Sequence, residues 1–142
     1  MSRRRRRSWT TVVGAAVLAV GLASCGTPSP DLFVVGRSGT IPGAKLGLLI
    51  TDGGFARCNG GPPQPIGEER LLMARKLAKD LDKPARDGVA LPPGPRSVLT
   101  FRVEVENGTV RFSDTSRAIT PAMRRMQSFT RDVAKRVCGL AR

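Results

Sequence analysis

Two alternating runs, at 97–106 and 109–114, meet at Asn107-Gly108. Asn-Gly between such runs is the strongest short-range hairpin signal, because both residues tolerate the positive φ of a tight primed turn. A two-residue turn there sets Val105 opposite Val110 and Val103 opposite Phe112, with Leu99 and Phe101 extending the apolar side. The same register sets Glu104 opposite Arg111 on the other face. One face is therefore core and the other solvated. A sheet of this kind needs a single covering layer, which excludes a parallel sheet buried on both sides.

The covering layer is legible as two amphipathic helices. Over 68–83 the period changes to helical, with Leu71, Ala74, Leu77, Ala78 and Leu81 in one stripe and Leu72 alone on the charged side. Glu68 and Glu69 suit its N-terminus, Lys79 and Lys83 its C-terminus, and Pro84 is expected to end it. Thr120-Pro121 opens the second helix, Thr as cap and Pro at the first position, where its missing N–H costs nothing. Ala122, Met126, Phe129, Val133, Val137 and Leu140 form its apolar stripe. Arg124, Arg131, Lys135 and Arg142 lie opposite, as a solvated face or a surface for lipid headgroups or an acidic partner.

Three further strands are expected upstream: 32–37, 45–51 and 55–59, the last two joined by Asp52-Gly53-Gly54. Residues 38–44, 60–65 and 84–96 read as irregular, from their Pro and Gly content. The predicted order is β-β-β-α-β-β-α. That is an α+β domain over 31–142: an antiparallel sheet of about five strands covered on one face by two amphipathic helices.

The first 24 residues are of a different kind. Five arginines (Arg3, Arg4, Arg5, Arg6, Arg7) precede an apolar run of small residues at 12–23. A charged segment, a short apolar segment and small residues at the exit describe an export signal. The apolar run falls short of the about 20 residues of a membrane span. It ends in Leu22-Ala23-Ser24-Cys25, which resembles the lipobox of exported bacterial lipoproteins, here of actinobacterial type. The resemblance implies cleavage before Cys25 and acylation of its sulfur. Residues 1–24 would then be a signal peptide, and 25–30 the lipidated cysteine and a short tether. The protein would be held at the extracytoplasmic face of the cell membrane. The alternative is an ordinary secretory signal, or a single-pass anchor, with a chance cysteine. Arg6-Arg7-Ser8-Trp9 also resembles a twin-arginine signal, so the export route stays open.

The lipobox reading changes two counts. Three cysteines become two, Cys58 and Cys138, which admit one pairing; outside the cytoplasm such a pair is normally oxidised, the alternative being two buried thiols. Cys138 falls on the shoulder of the polar face of its helix, so the end must unwind at Gly139 for the sulfur to turn inward. The net charge of +13 also falls: five of the 24 basic residues leave with the leader and none of the 11 acids do, giving +8. Part of the basicity is thus an export device. What remains suits an anionic membrane surface, envelope protein or envelope polymer. With five Phe, mostly at core positions, and no Tyr, there is no aromatic platform for nucleic acid.

Catalytic signals are absent. No histidine occurs, which removes Ser–His and Cys–His pairs and every His metal site. No phosphate-binding loop, nucleophile elbow or metal-spaced cluster is present, so no catalytic residue, metal or cofactor is assigned. Glu104, Glu106 and Asp114 are the acids to consider for an envelope hydrolase, if they converge. A strand running into Arg37-Ser38-Gly39, a mid-chain helix, a strand Phe101-Arg102-Val103-Glu104-Val105 and the Thr120-Pro121 helix start are together similar to emfourin-type protease inhibitors. That resemblance implies a proteinaceous inhibitor and gives no inhibitory residue here. The first expectation remains a non-catalytic binding or accessory domain at the membrane surface.

Overall fold

A computed structural model describes residues 31–141. The leader, Cys25, the tether and Arg142 lie outside the described residues. In chain order the elements are β1 (Asp31–Gly39), β2 (Leu46–Thr51), β3 (Phe55–Cys58), β4 (Gln64–Pro65), α1 (Glu68–Arg86), β5 (Leu99–Val105), β6 (Gly108–Ser113) and α2 (Pro121–Arg136). The strands form one antiparallel sheet in the order β4-β3-β2-β1-β5-β6. The fold is α+β, with six strands where about five are expected.

Strand alternation places the core. Phe33 and Val35 of β1, Leu46, Leu48 and Ile50 of β2, Ala56 of β3, Phe101 and Val103 of β5, and Val110 and Phe112 of β6 are all buried. They join one apolar cluster with Ala74, Leu77, Leu81 and Ala85 of α1 and with Met123, Met126, Phe129 and Val133 of α2. Phe33 meets Phe129 edge-on at 5.8 Å, and Phe101 stacks on Phe112 at 5.3 Å, each within the favourable range for ring pairs. Both helices therefore share one face of the sheet. On the other face Val34, Gly36, Ser38, Arg57, Thr100, Arg102 and Arg111 are exposed.

Four local features depart from expectation. Residues 64–65 add a short edge strand, with Ala56 opposite Gln64 and Phe55 opposite Pro65. Proline is tolerated there because an edge strand can spare an N–H. Second, Pro84 does not end α1, which continues to Arg86. The missing N–H costs one helical bond to the carbonyl of Asp80. Ala85 is nevertheless buried, and the N–H groups of Asp87, Gly88 and Val89 satisfy the carbonyls of Lys83, Ala85 and Pro84.

Third, the β5–β6 hairpin slips by two residues. Val105 pairs with Gly108, Val103 with Val110 and Phe101 with Phe112. An even slip keeps the apolar residues on the core face, so the face assignment stands while the pairs change. Glu104 lies opposite Thr109, not Arg111, and forms its ion pair with Arg102 on its own strand. The turn residues are Glu106 and Asn107, and Asn107 lacks the positive φ a primed turn would require. Its side-chain amide instead donates to Asp82 Oδ1 of α1 at 2.6 Å. Gly108, at φ +154°, lies against the end of α1, where an added Cβ would stand 2.3 Å from the Ala85 carbonyl oxygen. Contact with the helix, not the turn preference of Asn-Gly, sets this register.

Fourth, segment 89–91 borders β6. Arg111 N–H donates to the Val89 carbonyl, and Leu91 N–H to the Arg111 carbonyl. This covers the outer edge of the sheet, which would otherwise be a template for pairing with another chain.

Candidate functional site

Cys58 and Cys138 form a disulfide with Cα atoms 5.9 Å apart, an ordinary bridging distance. Cys58 ends β3, which is the second strand from its edge and not a central one, and Cys138 lies two residues past α2. The sulfur turns inward as the helix end loosens. The N–H of Cys138 reaches back five residues to the Val133 carbonyl, and that of Leu140 reaches the Ala134 carbonyl. Gly139, at φ +65°, supplies the left-handed residue the reversal needs.

The expected basic surface separates into two parts. On one side of α2 the charges are neutralised. Arg125 pairs with Asp80 at 2.9 Å, and Asp132 is shared by Arg136 at 2.8 Å and Arg70 of α1 at 2.6 Å. Burial acts to raise the Asp80 pKa, but hydrogen bonds from Lys76 and Arg125 outweigh it and hold it below the usual carboxylate value. Asp132 is lowered chiefly by its hydrogen bond from Arg70, against some burial, and further by the charges of Arg70 and Arg136. These pairs join α1 to α2.

On the other side stand Arg124, Arg131 and Lys135, spaced along one stripe. Arg124 donates to the Ile119 carbonyl at 3.0 Å. Among the described residues no carboxylate pairs with Arg131 or Lys135. Both line a cleft of about 330 Å³ whose other walls include Ile41 and Leu99, with Arg37 of β1 in its lining.

Arg37 was not singled out as a site residue in the sequence, although strand alternation marks it. Phe33, Val35 and Arg37 share the helix-covered face of β1, so the third inward position carries a guanidinium. It is only 4% exposed. Its Nε donates to the Ala44 carbonyl at 2.8 Å and its Nη2 to the Gly43 carbonyl at 3.0 Å, which fixes the side chain at the end of the core. Burial first, and the like charge of Arg131 second, lower its pKa. Arginine stays charged through such a shift.

The remaining candidates are not brought together. Glu104 stands near the β5–β6 turn, whereas Asp114 lies at the far end of that hairpin. There it accepts from Ser97 Oγ at 2.9 Å and from the Val98 N–H at 3.3 Å. The segments that carry the inhibitor resemblance are neighbours: Arg37, Ser38 and Gly39 of β1 face Phe101, Thr100 and Leu99 of β5. Among the described residues no helix is long and apolar enough to cross a membrane. Comparison of the chain with protein-family models, with curated proteins and with solved structures finds no match.

Proposed function

We propose that this chain is a lipid-anchored lipoprotein of the cell envelope, whose domain is a non-catalytic binding or accessory module at the outer face of the membrane. The observation that carries the reading is Leu22-Ala23-Ser24-Cys25, placed directly after the apolar run and its arginine leader. The compact disulfide-bonded domain supports it, because a stable bridge suits an oxidising compartment. The spacing also fits: the described domain opens with β1 at Asp31, and the reading leaves residues 26–30 to serve as a short tether. At about 3.3 Å per extended residue they reach roughly 15–20 Å, which keeps the domain against the headgroups.

The test is mass spectrometry of the N-terminal peptide from cells fed an alkyne fatty acid. The expected species begins at Cys25 and carries acyl chains, and Cys25→Ala accumulates unacylated with its leader retained. A free thiol at Cys25 in the membrane-bound wild-type protein would remove the anchor. Crosslinking in intact cells then identifies the partner, and repeated recovery of none would count against a binding module.

A further inference from the structure

Among the described residues both helices lie on one face of the sheet, and the other face stays open. Its apolar part lies where the chain enters the domain. Val34, 37% exposed, pairs with Leu49 across β1 and β2. Phe55, 43% exposed, donates its N–H to the Thr51 hydroxyl, and Thr51 stands opposite Asp31 at the start of β1. Further along, Gly36 and Gly47 face each other and raise no side chain above the sheet. Arginines surround them: Arg57 lies opposite Leu49, and Arg102 lies opposite Gly36 on one side and Arg111 on the other. Arg102 is paired with Glu104, but among the described residues no carboxylate pairs with Arg57 or Arg111. Like charges directly opposite on a sheet repel, so an anionic neighbour stabilises Arg102 beside Arg111.

We propose that the open face of the sheet rests on an anionic bilayer, with Val34, Leu49 and Phe55 at the headgroup boundary and Arg57, Arg102 and Arg111 on lipid phosphates. The inference rests on the reading of Cys25 as the anchor and adds which side of the domain meets the membrane. Val34 lies three residues into β1, about 10 Å from the point where the tether joins. The tether reaches roughly 15–20 Å, which is enough to lay this face against the headgroups. The basic stripe of α2 fits less well. Arg131 stands by Arg37, six residues along β1 and about 20 Å from Asp31, at the limit of the tether and in the helix layer. A patch of three arginines and three apolar side chains would hold a free domain only weakly. Joined to its lipid, the domain makes that contact intramolecularly, so the patch needs only to orient it. A second copy is disfavoured, because a two-fold pairing of these faces sets arginines against arginines.

On this reading Trp9, the only tryptophan, leaves with the leader, so Val34→Trp gives the processed chain a single reporter. Leu72→Trp is the control, at a position 58% exposed on α1 in the helix layer. The test reconstitutes each acylated chain in vesicles of dibrominated phosphatidylcholine with phosphatidylglycerol and reads tryptophan quenching. Emission from Val34→Trp is expected to fall about twofold or more, and that from Leu72→Trp to change little. Omitting phosphatidylglycerol, or adding Arg57→Gln, Arg102→Gln and Arg111→Gln, should remove the quenching while the protein stays on the vesicles. All these positions are exposed, so the unfolding midpoint should hold. Equal quenching of the two reporters, or quenching indifferent to phosphatidylglycerol and to the arginines, would overturn the proposal. Shielding of Val34→Trp from acrylamide without quenching by brominated lipid would mean that a protein covers the face, and overturns it too. An acylated, vesicle-bound chain whose Val34→Trp reporter is unquenched ends this inference and leaves the anchor intact; an N-terminal peptide with its leader and no acyl chain ends both.

Discussion

Replacing Gly108 by alanine separates the two accounts of the β5–β6 hairpin. If Gly108 served only as the second residue of a tight Asn-Gly turn, alanine would cost about 1 kcal/mol, the ordinary penalty for a non-glycine residue in left-handed backbone. In the observed register two costs combine. The φ of +154° is one that side-chain-bearing residues rarely adopt, worth roughly 1–3 kcal/mol. The new Cβ would also stand 2.3 Å from the Ala85 oxygen and 2.7 Å from its carbonyl carbon. Both are helix backbone, so relief requires α1 to move off the hairpin; forced shifts of this kind cost about 1–3 kcal/mol. The expected loss is therefore about 2–5 kcal/mol, a large part of the stability of a domain this size. With about 4–8 °C lost per kcal/mol in small domains, the unfolding midpoint should fall by at least roughly 8 °C. Urea and thermal unfolding followed by far-ultraviolet circular dichroism measure this. Asn107→Gly is the control, and it should not stabilise the protein, because Asn107 has no positive φ and would lose its hydrogen bond to Asp82. A loss at Gly108→Ala of 1 kcal/mol or less, together with a gain at Asn107→Gly, would refute helix contact as the determinant of register.

Two more outcomes follow from the disulfide and the interhelical pairs. Reducing the bridge, or changing both Cys58 and Cys138 to serine, releases a loop of separation 80, for which the chain-entropy model gives about 4.5 kcal/mol. Urea unfolding with and without reductant should show a loss of that order, and coincident curves would exclude a stabilising bridge. Asp80 and Asp132 have folded pKa values below their unfolded ones, so their contribution is complete above the unfolded carboxylate value of about 3.9. It is lost as pH falls through the lower folded values. Asp80→Asn with Asp132→Asn should flatten the decline in unfolding midpoint below about pH 4, and an unaltered acid slope would show that neither ion pair couples to folding.

Periodicity made the layers legible, and contact between layers decided what it could not. The stripes of Leu77 and Leu81 and of Met126, Phe129 and Val133 are visible because each helix has one apolar side. Thr120 was readable as a cap, and its hydroxyl accepts from the Met123 N–H at 3.3 Å. The hairpin register was not, because the turn rule sees only neighbours in sequence, while Gly108 answers to Ala85 more than twenty residues away. Pro84 misled for the same reason: a breaker in isolation is overridden once Ala85 is buried. In the candidate site, Arg131 and Lys135 were visible as a stripe, but their distinction from Arg125 and Arg136 depends on where Asp80 and Asp132 lie after folding. Arg37 is visible to strand alternation as the third inward position of β1, after Phe33 and Val35.

The order in which the chain is made bears on the middle of the sheet. β1 is the first element among the described residues, yet it lies between β2 and β5. Its partner on one side follows within a few residues, but Ser38 waits 62 positions for Thr100. Until that stretch has emerged, whether from the ribosome or across a membrane, a nascent strand with apolar Phe33 and Val35 keeps one flank of backbone donors and acceptors open. Holding factors that shield such a flank would be needed most while residues 52–98 are still in transit, and least once Val105 is through.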